Sequence, residues 1–145
     1  MKYYIINGPN LNLLGMREPT IYGTQTYQEL CKRIRLEAKR LHVQVKIVQT
    51  NHEGTIIDVL HHAHRCHFDG IIINPGAYTH TSYAILDAIK AINIPTIEVH
   101  LSDITKRETF RQISLISPAC IKSIIGHGIE GYSEALNALV GEKHV

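Results

Sequence analysis

The sequence lacks several features that would assign it to a specialised class of protein. It has only three cysteines, Cys31, Cys66 and Cys120, and they are widely spaced with no C-x-x-C pair. This spacing argues against a disulfide framework and against a cysteine zinc site. No apolar run approaches the roughly 20 residues that a membrane span needs. The formal net charge is only +2 and no run of lysines and arginines forms a basic stripe, so we expect no nucleic acid partner.

Length and composition suit one ordinary globular domain. The chain has 145 residues, of which 44% are hydrophobic and 19% are charged. A chain of this size buries roughly two-thirds of its unfolded surface, so we expect residues 1–145 to form a single domain. The first residues, MKYYIING, pass directly into a strand pattern and leave no room for a signal peptide. We therefore expect a soluble, cytoplasmic protein with no membrane association.

Five short runs rich in Ile, Val and Tyr alternate with segments of helical spacing. The runs lie at residues 2–7, 43–50, 70–74, 94–101 and 121–126, and several are nearly continuously apolar, as strands buried on both faces are. The helical segments cover residues 27–41, 55–66, 82–92, 106–113 and 132–140. A capping box, Thr26-x-x-Glu29, opens the first of them. This alternation predicts an α/β fold of right-handed βαβ units on a parallel sheet.

Five strands favour a flavodoxin-like three-layer sandwich with the strand order 2-1-3-4-5. In such sheets ligands bind beyond the carboxyl ends of the strands, beside the point where the strand order reverses. Strands 1, 3 and 4 are neighbours in this order. The loops that follow these three strands are therefore expected to converge and to form the site.

The loop after the first strand is much longer than the two to about six residues usual for a βα connection. It covers residues 7–23, NGPNLNLLGMREPTIYG, and carries three asparagines together with Arg17, Glu18 and Tyr22. An oversized loop at this edge of an α/β sheet is commonly functional and often forms a lid. The alternative is an ordinary surface loop.

The loop after the third strand, residues 74–82, is also polar and begins with a Pro-Gly turn. The free N–H groups at the start of the helix that follows can bind an anion. One of Thr79, Thr81 and Ser82 is expected to cap that helix. Capping leaves Asn74 and His80 without a structural explanation.

The end of the fourth strand brings acidic, basic and hydroxyl groups together. Period-two alternation places Glu98, His100 and Ser102 on one face of the strand. An acid and a histidine inside an apolar strand are costly to bury unless they are paired, so this is either a functional pair or a structural one. Arg107 and Arg111 follow four residues apart and would share a face of the predicted helix. They suit an anionic substrate, or they form a solvated face.

Two further motifs are not expected to be functional. Residues 126–131 match G-x-G-x-x-G, but no strand follows them, so they indicate a tight turn and not a dinucleotide site. Residues 61–67 contain several histidines, which divide around the helix at about 100° per residue. His61 and His62 fall on its polar side, and His64 and His67 fall on its apolar arc. Since a zinc ion needs convergent ligands, we expect no metal site.

Five segments taken together closely resemble type II 3-dehydroquinate dehydratases, in order and from Ile5 to Tyr132. The segments are NGPNLNLLGMREPTIYG, QTNHEG, INPGAYTHTSYAILDA, IEVHLSD and RETFR. The resemblance implies a flavodoxin-like enzyme without metal or other cofactor that forms homododecamers built from trimers. The reaction it implies removes water from 3-dehydroquinate to give 3-dehydroshikimate, in the shikimate pathway or in quinate breakdown.

The resemblance also implies a set of catalytic residues. Tyr22 would be the base that takes a proton from the carbon beside the ketone, with Arg17 next to it stabilising the transition state. Asn10 would help to hold the enolate oxygen through a water. His100 would protonate the departing hydroxyl, oriented by Glu98.

Further residues are assigned to substrate binding by the same resemblance. They are Asn74, His80, Asp87, Leu101, Ser102, Arg107 and Arg111. In the family, the position of Asp87 is an acid presented to a neighbouring subunit's site, and that of Arg107 is a second arginine near the base. Thr50 and Asp103 depart from the more usual serine and asparagine, and Asp103 adds a negative charge near the carboxylate site.

The implied chemistry is physically reasonable. A tyrosine acts as a base only as the phenolate, and one guanidinium at about 4 Å stabilises that anion by about 4 kcal/mol at an effective dielectric constant of 20, before desolvation.

Two alternative functions fit parts of the pattern. A flavodoxin-like binding or signalling module would need a bound flavin or an acidic cluster at the strand ends, and no such cluster ends the first strand. Another lyase or hydrolase could act on a cyclic carboxylate through the same loops.

Overall fold

The computed structural model describes residues 1–16 and 18–143, and within them the strands form one five-stranded parallel sheet. The strands are β1 (Lys2–Asn7), β2 (Gln44–Gln49), β3 (Gly70–Asn74), β4 (Thr96–His100) and β5 (Lys122–Ile125). Their order is β2-β1-β3-β4-β5, and every neighbouring pair is parallel. The strand order predicted from the sequence is confirmed.

Helices cover both faces of the sheet. They are α1 (Pro19–Tyr22), α2 (Tyr27–Arg40), α3 (Glu53–Arg65), α4 (Tyr83–Ile92) and α5 (Glu130–Lys143). Helices α2 and α5 pack on one face, and α3 and α4 pack on the other. This is the predicted three-layer sandwich. Among the described residues, no helix is both long enough and apolar enough to span a membrane.

The apolar character of the strands follows from this double covering. In β1, Tyr3 and Ile5 belong to the core beneath α2 and α5, whereas Tyr4 and Ile6 belong to the core beneath α3 and α4. Successive side chains of a strand point to opposite faces, so a strand covered on both faces is apolar at every position. Polar side chains of β1 are therefore confined to its ends, and Asn7 stands at the end that faces the site.

Side-chain caps fix where two of the helices begin. The Thr26 hydroxyl accepts a hydrogen bond of 3.1 Å from the backbone N–H of Glu29 and starts α2. The Ser82 hydroxyl accepts one of 3.0 Å from the N–H of Ile85 and starts α4. Of the three candidate caps before α4, Ser82 is thus the one used, and each cap contributes roughly 1 kcal/mol.

The helix predicted over residues 106–113 is wrong. The segment instead contains two short 3₁₀ turns, Ile104–Lys106 and Thr109–Arg111. Between them the backbone of Arg107 and Glu108 is extended, which interrupts the i to i−4 hydrogen bonds that a helix requires. The two arginines of this segment therefore do not share a helical face: Arg107 reaches the site from the extended stretch, and Arg111 from the second turn.

Other boundaries shift by a few residues, as is usual at frayed ends. Strand β4 begins at Thr96 and not at residue 94 because Pro95 has no N–H to give to the sheet. Strand β2 is one residue shorter at each end than predicted, and α5 begins earlier and ends later. The turn predicted over residues 126–131 is confirmed at Gly126 and Gly128, which take the left-handed φ values of 81° and 58°, but its last two residues already belong to α5.

The histidine-rich segment divides differently from the prediction. His64 and His67, placed on the apolar arc from the sequence, are exposed, and His62 is the one partly buried. Its Nδ1 lies 3.1 Å from the Tyr4 hydroxyl and its Nε2 lies 3.3 Å from the Cys66 Sγ. The hydroxyl at the sheet surface holds His62 inward, and helical periodicity alone does not anticipate that contact. Across the described part of the chain, no three His, Cys, Asp or Glu residues converge as metal ligands.

Candidate active site

One pocket opens at the carboxyl ends of β1, β3 and β4, where the sequence analysis places the site. Most of the predicted site residues line it together with apolar neighbours. The lining residues are Pro9, Asn10, Leu11, Leu14, Tyr22, Asn74, Gly76, Ala77, His80, His100, Leu101, Ser102, Ile104, Arg107 and Arg111. Ligand sites of this kind are mostly apolar with a few convergent polar groups.

The floor of the pocket is set by the close approach of β1 and β3. Asn7 and Asn74 are register partners at the ends of these strands, and the N–H of Gly8 donates to the Asn74 carbonyl at 2.8 Å. A Cβ atom on Gly8 would lie 2.5 Å from the backbone of Pro75. Only glycine allows this approach, so the two loops leave the sheet side by side.

Glu98 and His100 form a buried, hydrogen-bonded pair on β4. His100 Nε2 lies 2.7 Å from Glu98 Oε2, and the carboxylate is fully buried. It also accepts hydrogen bonds from the hydroxyls of Ser114 at 2.8 Å and Ser123 at 2.5 Å. Burial alone would raise the pKa of Glu98, but the hydrogen bonds from His100, Ser123 and Ser114 and the attraction of the imidazole outweigh it, so the pKa lies below its usual range. Glu98 is therefore a carboxylate.

This pairing decides which nitrogen of His100 can act. A buried carboxylate accepts hydrogen bonds and cannot donate them, so Nε2 must carry a proton. Nδ1 is then the nitrogen left for proton exchange with a molecule in the pocket. The carboxylate beside the ring therefore fixes both the tautomer and the orientation of His100.

Tyr22 and Arg107 meet in the same pocket. Tyr22 is the last residue of α1, inside the long loop after β1. Arg107 donates from one terminal nitrogen to the Tyr22 hydroxyl at 3.0 Å, and its guanidinium carbon lies 5.2 Å from the centre of the tyrosine ring. The same nitrogen reaches the Ser102 hydroxyl at 3.4 Å. This contact places a positive charge beside the phenol oxygen.

Two other residues of the first loop, Arg17 and Asn10, were predicted to belong to the site. Arg17, expected beside the tyrosine, lies outside the described residues. Asn10 lines the pocket in the left-handed conformation, with φ of 69°, which asparagine adopts more readily than most residues. Its backbone N–H donates to the Asn51 side chain at 3.1 Å, and this contact fixes the direction in which the loop leaves β1.

The residues expected to bind substrate mostly line the same pocket. His80 Nδ1 lies 2.9 Å from the Ile113 carbonyl oxygen, so Nδ1 carries the proton and Nε2 is free to face the pocket. Arg111 pairs with Glu108 at 2.8 Å and lines the pocket from its 3₁₀ turn. Leu101 and Ser102 continue β4 at the pocket edge.

Asp87 and the two departures from the family pattern lie elsewhere. Asp87 is exposed on α4 and is not among the residues that line the pocket of its own chain. Asp103 Oδ1 accepts from the backbone N–H and the hydroxyl of Thr105, at 3.0 and 2.5 Å. These bonds, with attraction to Lys106, lower the pKa of Asp103, and its charge is held in that turn and not in the pocket. Thr50 accepts from the His52 N–H at 3.1 Å.

The two serines that donate hydrogen bonds to Glu98 were not predicted from the sequence. Ser123 is the register partner of Glu98 in the neighbouring strand, and a serine followed by two isoleucines in that strand was a signal that could have found it. Ser114 carries no such signal, because it lies in an irregular segment. A fully buried tyrosine in α5, Tyr132, was also missed, and its hydroxyl contacts Asn7 and Asn74.

Comparison with known proteins finds close relatives over nearly the whole chain. A family model described as Dehydroquinase class II matches residues 1–140. The 3-dehydroquinate dehydratase of Caldicellulosiruptor bescii is 58% identical over 138 residues, which cover 95% of each chain. That of Clostridium perfringens is 53% identical over 145 residues, 100% of this chain and 98% of the relative. The crystal structure of a type II dehydroquinase from Butyrivibrio crossotus superposes with a TM-score of 0.94 at 48% identity, covering 96% of this chain and 97% of that one.

Proposed function

This chain belongs to the class II dehydroquinase family, and on that premise we propose that it is a 3-dehydroquinate dehydratase. The reaction is the elimination of water from 3-dehydroquinate to give 3-dehydroshikimate through an enolate intermediate. The observation that carries the proposal is the pairing of two differently supported groups in one pocket. Tyr22 is held by a cation and His100 by an anion, which suits a base and an acid respectively.

Proton removal is the first step. The Tyr22 phenolate, favoured by the Arg107 guanidinium, takes a proton from the carbon beside the ketone. The electron pair of the broken C–H bond moves into the ketone, which becomes an enolate oxygen. Asn10, at the mouth of the pocket, would hold this oxygen through a water, and stabilising that developing charge is the larger part of such catalysis. Arg17 would add a second positive charge on the same loop.

Loss of the hydroxyl group is the second step. The enolate re-forms the ketone, its electron pair makes the new carbon–carbon double bond, and the C–O bond at the adjacent carbon breaks. His100 gives a proton from Nδ1 to the departing oxygen, so that it leaves as water. Glu98, ionised and buried, stabilises the imidazolium before the transfer and keeps the ring oriented. The base and the acid thus act at different atoms and do not compete for one proton.

The remaining pocket residues hold the substrate. Arg111 supplies a positive charge, and Ser102 and the backbone N–H at Leu101 supply donors for the substrate carboxylate. Asn74 and His80 face the substrate hydroxyls. Together these groups fix the ring so that the reacting carbon meets Tyr22 and the leaving oxygen meets His100.

We also propose that the enzyme is a homododecamer built from trimers and that Asp87 completes a neighbouring subunit's site. Three observations support this assembly. Asp87 lies outside the pocket of its own chain. Tyr83, one turn before it, is 67% exposed, and Phe110 and Ile113, within two residues of Arg111 in the chain, are 69% and 70% exposed. Exposed large apolar side chains are typical of an interaction surface when they form a patch.

Mixed oligomers test the shared site. If Asp87 serves the neighbour, Asp87→Asn and Tyr22→Phe each lose activity, but mixtures of the two reassembled together regain part of it, because some sites then combine an intact Tyr22 with an intact Asp87. Mixtures that remain inactive would contradict a shared site. Sedimentation velocity of the wild type is expected to give the mass of twelve subunits, and a stable monomer would contradict the assembly.

We further propose that residues 1–145 form one catalytic domain, that the reaction needs no metal or other cofactor, and that the enzyme is cytoplasmic. The second proposal rests on Tyr22, Arg107 and His100, which account for the base, the stabilising charge and the acid. The third rests on the three free cysteine thiols, which suit a reducing compartment. Treatment with EDTA is expected to leave turnover unchanged, and loss of activity restored by zinc would refute the metal-free mechanism.

The activity is tested by adding 3-dehydroquinate to the purified protein and following ultraviolet absorbance. The product is a conjugated enone and the substrate is not, so absorbance in the enone band is expected to rise in proportion to enzyme concentration. No rise at high enzyme concentration would overturn the proposed function. Colourless protein is expected as well, since a bound flavin would instead favour a flavodoxin-like binding module.

A further inference from the structure

We infer that Tyr132 is a positioning residue of the active site, which orients the Asn74 amide so that it presents an N–H donor to the substrate. Tyr132 lies in α5 and is not among the residues that line the pocket. The inference rests on the proposed function, since Asn74 is there a substrate contact, and it adds a residue that acts only through Asn74.

The Tyr132 hydroxyl lies between the two asparagines that end β1 and β3. It donates to Asn7 Oδ1 at 2.7 Å and accepts from Asn74 Nδ2 at 3.1 Å. Its side chain is 1% exposed, so these bonds are shielded from bulk solvent. Burial raises the pKa of the Tyr132 phenol, and the hydroxyl therefore keeps the proton that it gives to Asn7.

One backbone N–H group determines which atom donates and which accepts in each of these hydrogen bonds. The N–H of Gly76 can only donate, and it lies 3.2 Å from the Asn74 side-chain oxygen, so that end of the amide must be Oδ1. The other end, facing Tyr132, must then be Nδ2. Since Nδ2 donates, the Tyr132 oxygen accepts, and its single proton must go to Asn7. Asn7 in turn donates from Nδ2 to the Tyr27 hydroxyl at 3.4 Å.

These hydrogen bonds leave the Asn74 amide able to act toward the pocket as a hydrogen-bond donor. One Nδ2 proton is used by Tyr132, and the second remains available as a donor. The site therefore presents Asn74 to a hydroxyl or carboxylate oxygen of the substrate that accepts a hydrogen bond. A flipped amide would offer an acceptor there and would leave buried donors facing one another, which is costly.

A purely structural role for Tyr132 predicts different kinetics. If the hydroxyl only fastens α5 to the sheet, Tyr132→Phe lowers stability and leaves KM and kcat as they are. If it orients Asn74, the variant loses a contact made equally in the ground and transition states, which raises KM with little change in kcat.

A double-mutant cycle separates the two. Tyr132→Phe is expected to raise KM for 3-dehydroquinate about tenfold in the wild-type background and less than about twofold in an Asn74→Ala background, because its effect passes through Asn74. The matched control is Tyr3→Phe, which removes a hydroxyl from another fully buried tyrosine of the same core and is expected to leave KM unchanged. An unchanged KM in Tyr132→Phe, or the same increase in both backgrounds, would overturn the inference.

Side-chain amide signals provide a readout that does not depend on turnover or on the variant's kinetics. In protein labelled with ¹⁵N at asparagine, identified by the Asn74→Ala variant, one Asn74 Nδ2 proton is expected to be protected from solvent exchange in the wild type. If neither proton is protected, the orientation by Tyr132 is refuted. Absence of wild-type turnover would instead refute the proposed function and leave the amide protection to decide this inference.

Discussion

The pocket holds its acid group and its base group in different ways. We call Glu98 and His100 the acid side, and Tyr22 and Arg107 the base side. The acid side lies on the sheet, where Glu98 and His100 are consecutive same-face residues of β4 and two serines and an imidazole hold the buried carboxylate. The base side lies on a loop, where Tyr22 ends a four-residue helix and Arg107 contacts it from a segment without regular helix. Sheet residues are fixed by register, whereas loop residues are fixed by a few long-range contacts.

This difference matches what each group has to do. An acid that depends on a buried charge needs a site whose hydrogen bonds are complete before substrate arrives, because an unpaired buried carboxylate is costly. A base on a loop can approach the substrate after it has bound and can exclude water when it does so. Perturbing the acid side should therefore affect stability and activity together, and perturbing the base side should affect activity alone.

The largest expected effect comes from the base. Tyr22→Phe is expected to reduce kcat about 10³-fold, within the range of roughly 10² to 10⁴ for a lost general base. The urea unfolding midpoint should not change, since the lost hydroxyl belongs to a loop. Tyr4→Phe, which removes a buried hydroxyl on the other sheet face, is the control and should keep kcat. Near-normal turnover of Tyr22→Phe would remove it as the base.

The acid side is tested by Glu98→Gln, which keeps the shape of the side chain and removes its charge. Turnover is expected to fall about 10- to 100-fold, because the imidazolium of His100 loses its counter-ion. The free energy of unfolding is expected to fall by about 1–3 kcal/mol, since an amide cannot accept from all the present donors. A variant that loses activity with unchanged stability would mean that the two sides are built alike.

The stability contributed by Glu98 should also depend on pH. Its pKa is lower in the folded protein than in the unfolded chain, where a glutamate titrates near about 4.3. The contribution is therefore complete above about pH 5 and is lost as the pH falls through the folded value. The difference in unfolding free energy between wild type and Glu98→Gln, measured by urea titration, should shrink below about pH 4. A difference that stays constant there would contradict the assignment.

The smallest expected effect is at Asp103, which is not among the residues that line the pocket. Its carboxylate is turned toward Thr105, so Asp103→Asn is expected to change KM by no more than about twofold, as exposed charges have weak effects. KM measured at low and high salt provides the check. A large fall in KM at low salt would show that the charge does repel the substrate carboxylate.

The parts of the fold and site that depend on local pattern could be predicted. Strands β1 and β3 end where their apolar runs end, because both faces are covered by helices. The pairing of Glu98 with His100 follows from period-two alternation and from the cost of burying either alone. Ser82 was one of three hydroxyls available as a cap, and only the backbone geometry selects it.

The parts that depend on contacts between distant segments could not be predicted. Arg107 lies on extended backbone and its side chain reaches Tyr22, 85 residues earlier in the chain, and helical spacing does not contain that information. His62 turns inward to a hydroxyl 58 residues away, against the apolar arc of its helix. In the sequence, Tyr132 has the pattern of an ordinary core aromatic. Its contacts with Asn7 and Asn74 depend on the pairing of β1 with β3, which brings these two residues together.

The central claim, that Tyr22 removes the proton and His100 releases the hydroxyl, is tested most directly by isotope exchange in D₂O. In His100→Ala, with the acid removed and the base intact, 3-dehydroquinate is expected to take up deuterium at the carbon beside the ketone faster than it loses water. In Tyr22→Phe both exchange and dehydration should slow by about 10³-fold. Exchange that continues undiminished in Tyr22→Phe, or that disappears in His100→Ala while dehydration continues, would contradict this division of roles.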